Sequence, residues 1–150
     1  MNAPLPKVLI VESAPALQDS YAQKYNLGAV SSLLHAYSVE EAQTLFSQHA
    51  DVAIIAVSAR VGSAEVNTAP LVEQFRQSGF KGPIVAVSPL RKHRDLLKAV
   101  GANFQAENKS LSDMVRYLLD EMANRPARTL RRMFVQKMRL MKARWMRGEG

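Results

Sequence analysis

The sequence predicts an α/β fold: a doubly wound, five-stranded parallel sheet with helices on both faces. Three observations predict it. Lys7-Val8-Leu9-Ile10-Val11, Asp51 to Arg60 and Ile84-Val85-Ala86-Val87 are short, almost unbroken apolar runs without polar alternation, the pattern of strands buried on both faces. Segments with apolar residues at helical spacing separate these runs. Small or turn-forming residues (Glu12-Ser13, Gly62-Ser63, Ser88-Pro89) close each run, as strand-to-helix connections require. Alternation of this kind calls for a parallel sheet with right-handed crossovers.

The first strand, Lys7 to Val11, is followed by a helix from Pro15 to Tyr25 with Leu17, Tyr21 and Tyr25 four residues apart, and Gly28 is its expected stop. A second strand is expected over Val30 to Ala36. Ser38 then caps a helix whose apolar stripe is Val39, Ala42, Leu45 and Phe46. The central run from Asp51 leads into a small-residue loop, Ala59 to Thr68, and a helix with Leu71, Val72 and Phe75 facing inward ends at the Gly79 turn. Gly82-Pro83 introduces the fourth strand. A helix from about Lys92 to Val100 stops at Gly101, and Asn103 to Ala106 is the fifth strand. Ser110 starts a last domain helix with Leu111, Val115, Leu118 and Met122 at helical spacing.

Charge divides the chain sharply. Residues 1–124 hold 11 Lys/Arg against 12 Asp/Glu, whereas residues 125–150 hold 9 against one. This marks two segments, a near-neutral domain over 1–124 and a basic tail over 125–150. In the tail, Leu130, Phe134, Met138, Met141 and Trp145 recur at intervals of 4, 4, 3 and 4, one apolar stripe of a helix. Arg128, Arg131, Arg132 and Arg139 are among the cations on its other sides. Such a helix suits packing on its own domain or a second copy, a partner's groove, nucleic acid, or an anionic membrane surface, the last being least expected.

Other classes receive no support. Cysteine is absent, which removes disulfides and thiolate metal sites and fits a reducing, cytoplasmic setting. Met1 to Pro6 shows no secretory pattern, and no apolar stretch reaches membrane-spanning length. His35, His49 and His93 lack metal-ligand spacing, and neither a phosphate-binding glycine loop nor a nucleophile elbow is present. No catalytic residue, metal or cofactor is expected, and no enzyme.

The order and spacing of these elements resemble a bacterial response-regulator receiver domain, CheY-like and of flavodoxin-like fold, over roughly Lys7 to Met122. The resemblance rests on Lys7 to Glu12, Ser38-Val39-Glu40-Glu41-Ala42, Asp51 leading the third strand, Pro83 to Ser88, and Gly101-Ala102. It implies an acid pair after the first strand, an acceptor Asp at the end of the third, a hydroxyl after the fourth and a Lys after the fifth. In that scheme carboxylates hold Mg²⁺, the Asp attacks phosphorus, and metal and Lys neutralise the transferring group. Here the acid pair is Glu12-Ser13, and the acceptor position falls on Ala56. Ser88 fits the hydroxyl, Lys109 lies one residue beyond the expected lysine position, where Asn108 stands, and the aromatic of the fifth strand is Phe104 or, in strict register, Gln105.

The resemblance therefore implies a pseudo-receiver that works by protein contact, independently of phosphorylation. Its expected partner-binding residues are Arg91, Lys92, Arg94 and Lys98 on the fourth helix, possible counterparts of Asp113, Asp120 and Glu121 in a homodimer, together with Leu130, Arg131, Phe134, Met138, Met141 and Trp145 in the tail. The alternative is a nucleic-acid-binding regulator that uses the basic tail as its contact.

Overall fold

The computed structural model describes residues 4–124. The chain divides into two compact units, residues 1–115 and 116–150. The tail residues Leu130, Arg131, Phe134, Met138, Met141 and Trp145 lie outside the described residues.

The first unit is built on a five-stranded, all-parallel sheet in the order β2-β1-β3-β4-β5. Its strands are β1 (Lys7–Val11), β2 (Ser32–Ala36), β3 (Val52–Ser58), β4 (Ile84–Val87) and β5 (Phe104–Ala106). The connecting helices are α1 (Pro15–Gln23), the short α2 (Leu27–Val30), α3 (Val39–Gln48), α4 (Ala69–Gln77) and α5 (Arg91–Ala99), and α6 (Leu111–Asn124) follows β5. The order 2-1-3-4-5 is that of the flavodoxin-like class, whose switch point lies between β1 and β3.

Burial follows the apolar runs. Val8 to Val11, Ile54 to Val57 and Ile84 to Val87 are all buried, so strands that show no alternation are covered on both faces. Leu71, Val72 and Phe75 of α4, Ala42 of α3 and Leu97 of α5 belong to the same core, and the Phe46 and Phe75 rings lie 4.7 Å apart. Ser38 caps α3 by accepting the Glu41 N–H at 3.1 Å, which satisfies a donor that the first turn leaves without a helical partner.

The segment after α1 departs from expectation. Gly28 is not a helix stop; it lies inside α2, and β2 starts at Ser32 instead of Val30. The chain leaves α1 through a 3₁₀ turn, Lys24–Asn26, with Tyr25 and Asn26 in the left-handed region at φ 57° and 54°. Asn adopts that region readily but Tyr rarely does. A hydrogen bond from Tyr25, with Lys24 nearby, holds the Asp113 carboxyl below its usual pKa, and the same bond raises that of Tyr25. A side-chain tether thus replaces the glycine in making the turn.

Candidate functional site

An open cavity of about 490 Å³ lies at the carboxyl ends of β1, β3 and β4, lined among others by Glu12, Ser13, Ser58, Arg60, Ser88 and Asn108. This is the switch-point side of the sheet, where open α/β folds carry their sites.

Pairing of Val11 with Val57 brings the ends of β1 and β3 together. Glu12, next along from Val11, is buried, and its carboxylate is already engaged: Ser58 Oγ donates to Oε1 at 2.8 Å and the Ala14 N–H to Oε2 at 3.0 Å. The backbone around it is fixed as well. Glu12 N–H donates to Ala36 O at 2.9 Å, and Gln18 Nε2 donates to the carbonyls of Ile10, Glu12 and Ala36 at 2.9, 3.2 and 3.2 Å. Gln18 is fully buried, and its Oε1 lies 2.6 Å from His35 Nδ1. A side chain so placed lets α1 clasp the β1 exit without an orphaned polar group.

The loop after β3 is pinned in turn. Thr68 Oγ1 donates to Ser58 O and Ala59 O at 2.8 and 3.1 Å, and the Asn67 side chain both accepts from Val61 N–H and donates to Val61 O. Ser13 Oγ accepts the Gly62 N–H at 3.2 Å, joining the β1 and β3 loops across the cavity. On the opposite wall, Ser88 N–H donates to Ala106 O, and Ser88 Oγ accepts the Leu90 N–H at 3.1 Å. Asn108 Nδ2 donates to the buried Tyr21 hydroxyl at 2.8 Å, and burial raises the pKa of that phenol.

Glu12, Ser13 and Ser88 come together as the sequence places them, whereas Ala56 and Lys109 do not. Ala56 is fully buried within β3, between Ile10 and Val85, and Ser58 reaches the cavity in its place. β3 runs on to Ser58, two residues past Ala56, so the end of the strand lies beyond the expected position. Lys109 is turned to solvent beside Glu107, at 3.4 Å, and Asn108 takes the position on the cavity wall. The segment Asn108–Ser110 winds directly into a 3₁₀ turn, so the loop does not carry the lysine back to the cavity. Asp51 remains at the amino end of β3, where a hydrogen bond from Lys7 at 2.8 Å holds its pKa low. Phe104 is fully buried and Gln105 nearly so.

Arg94 also corrects an expectation. It is buried, not displayed for a partner: Nη1 donates to Ser88 O at 2.7 Å and Nε to Gln105 Oε1 at 3.1 Å. Leu97 sets the inward phase of α5, and Arg94, three residues earlier, shares that face. Arg91 and Lys92 are exposed beside the exposed Leu90 and Leu96, and Lys98 is half-buried. Among the acids named as counterparts, Asp113 faces Lys24 at 3.5 Å and Asp120 pairs with Arg116 at 3.1 Å.

Among the described residues, no group of three or more His, Asp or Glu is placed to hold a metal ion. The histidines stand apart, His35 on Gln18 and His49 beside Lys7. No described helix is long and apolar enough to cross a membrane.

No protein-family model matches the chain, and no curated protein does. Solved structures do match. The signal receiver domain of NarL from Mycobacterium tuberculosis superposes with a TM-score of 0.65 at 13% identity, covering 82% of this chain and 100% of that one. This chain has the receiver fold. The Francisella response regulator 1452 receiver domain gives a TM-score of 0.63 at 15% identity, over 78% of this chain and 98% of its own. The chemotaxis response regulator CheY4 of Vibrio cholerae gives 0.60 at 20% identity, over 75% and 98%. Sequence identities this low are compatible with a receiver fold whose site chemistry has diverged, because function resides in the site and not in the architecture.

Proposed function

We propose that this chain is a pseudo-receiver, a regulatory module that acts through protein contact and is not switched by aspartyl phosphorylation. The observation that carries this reading is the end of β3. Ser58 presents a hydroxyl there, already donated to Glu12, and no carboxylate reaches the cavity from that strand. One engaged carboxylate is a poor magnesium cage, since Mg²⁺ requires near-octahedral oxygen ligation. Among the described residues no lysine lines the cavity to neutralise a phosphoryl group either. Contact is then left to the exposed α5 surface of Arg91, Lys92, Leu90 and Leu96, and to the amphipathic tail. The occupant is a protein partner or a second copy.

Incubation with a small phosphodonor and Mg²⁺, followed by intact-mass measurement, is expected to leave the mass unchanged. Gain of one phosphoryl group that hydroxylamine removes, as it removes an acyl phosphate, would refute the reading.

The charge asymmetry favours a second reading, in which the tail contacts nucleic acid. On that reading affinity for a DNA or RNA duplex falls steeply between 50 and 200 mM salt (order of magnitude about 10³-fold for several phosphate contacts) and is lost on truncation after Asn124. On the protein-contact reading, truncation instead abolishes capture of the partner or self-association, and duplex binding is weak with or without the tail.

A further inference from the structure

Arg94 is the buried cation that neither reading of function uses, and its bonds join three separate elements. It projects from α5, donates Nη1 to the carbonyl of Ser88 just past β4 at 2.7 Å, and donates Nε to the Gln105 side chain on β5 at 3.1 Å. Ser88 is held at two further points: its N–H on Ala106 O at 3.2 Å, and its Oγ on the Leu90 N–H at 3.1 Å. The connection from β4 to α5 comprises only Ser88, Pro89 and Leu90. Ser88 is tied to β5 and to α5, Leu90 O accepts from the His93 and Arg94 N–H groups at 3.1 and 3.2 Å, and only Pro89 lies between them.

We infer that Arg94 is a built-in latch that fixes the β4–α5 connection in one conformation, so that the cavity wall and the exposed α5 surface are presented without any prior signal. The reasoning is energetic. A guanidinium at 8% exposure has given up most of its hydration, and only well-placed acceptors offset that loss. If the connection moved outward, Ser88 O would leave and the cation, still largely buried, would lose its shorter bond, at 2.7 Å. Displacement therefore costs more than for a loop held by neutral bonds, since bonds from charged donors are about twice as strong. A lysine substitutes only in part, because it is a point donor that reaches one acceptor, whereas the rigid guanidinium fork addresses Ser88 O and Gln105 Oε1 in different directions.

The latch separates from general stability by where amide exchange changes. In the full chain, R94M should raise hydrogen exchange at the Ser88 and Leu90 amides at least tenfold, with R94K intermediate. The amides of Leu9 and Ile55 in the central strands should stay within about twofold of wild type, because they open only with the whole fold. Since R94M strands the Gln105 amide and risks misfolding, the double variant R94M/Q105M replaces the pair with apolar volume. It should fold and still show fast exchange at Ser88 and Leu90. Unchanged exchange at these two amides in either variant, or an equal rise at Leu9 and Ile55, would overturn the latch.

Discussion

Gly101→Ala is expected to lower the free energy of unfolding by about 2–4 kcal/mol, the upper part of the range for single substitutions. Gly101 closes the turn between α5 and β5 at φ +134°, a conformation that L side chains rarely adopt. Backbone strain of this kind costs about 1–3 kcal/mol. A Cβ there also meets Arg76 Cγ at 2.6 Å, and Arg76 cannot simply withdraw. Its Nε donates to Gly101 O at 2.8 Å, and Nη1 donates to Phe80 O and Gly82 O at 3.0 and 2.8 Å. These bonds hold three loop carbonyls on a half-buried cation whose pKa burial has lowered. Moving the stem out of that overlap disturbs all of them. Gly62→Ala is the control, since Gly62 has φ +65° but nothing within 4 Å of a new Cβ; it should lose only the strain, about 1 kcal/mol. Urea titration reads both through the midpoint at constant slope. Equal losses in the two variants would show that the collision with Arg76 contributes nothing.

Arg76 and Arg94 also show why part of this molecule was legible in the sequence and part was not. The strands announce themselves because burial on both faces demands apolar runs, and the runs at Val8, Ile54 and Ile84 became β1, β3 and β4. The cap at Ser38 has a local cause and was equally readable. A buried arginine has no such local signature. Its sequence neighbours, Arg91 and Lys92, are exposed, and only the helix phase set by Leu97, together with distant carbonyl acceptors, distinguishes Arg94 from them. The same holds at the cavity. Whether Ala56 or Ser58 reaches it depends on how far β3 runs before it turns, and whether Asn108 or Lys109 does depends on how tightly the chain turns after β5. Hydropathy carries neither quantity. Tyr21 reads as a helix residue of ordinary spacing and Gln18 carries no signal of its own, yet one seats Asn108 and the other organises the exit from β1.

Gln18 gives the second large effect. Gln18→Leu should cost about 2–4 kcal/mol, because one buried amide shares its two N–H groups among three carbonyls and its oxygen meets His35, with each bond worth about 1 kcal/mol net and the buried carbonyls left without a donor. Gln18→Glu tests the chemistry more sharply through pH. On the Nε2 side three carbonyl oxygens converge, and a carboxylate oxygen there faces acceptors only. Burial and the missing donors raise the folded-state pKa of the new acid above its unfolded value of about 4.3. For an acid shifted upward, the protonated form is the one the fold prefers. The variant therefore keeps most of its stability below about pH 4, where the neutral acid donates to one carbonyl, and loses it as pH rises through the folded-state pKa. His35, on the other oxygen, is the titratable side chain facing this position, and its contact with Oε1 is available to either form of the acid. The wild-type amide does not titrate, so the difference between variant and wild type should widen from pH 4 to pH 7 in paired urea titrations. A difference independent of pH would mean that the three carbonyls do not surround this side chain, and with them would go the account of how α1 fixes the position of Glu12.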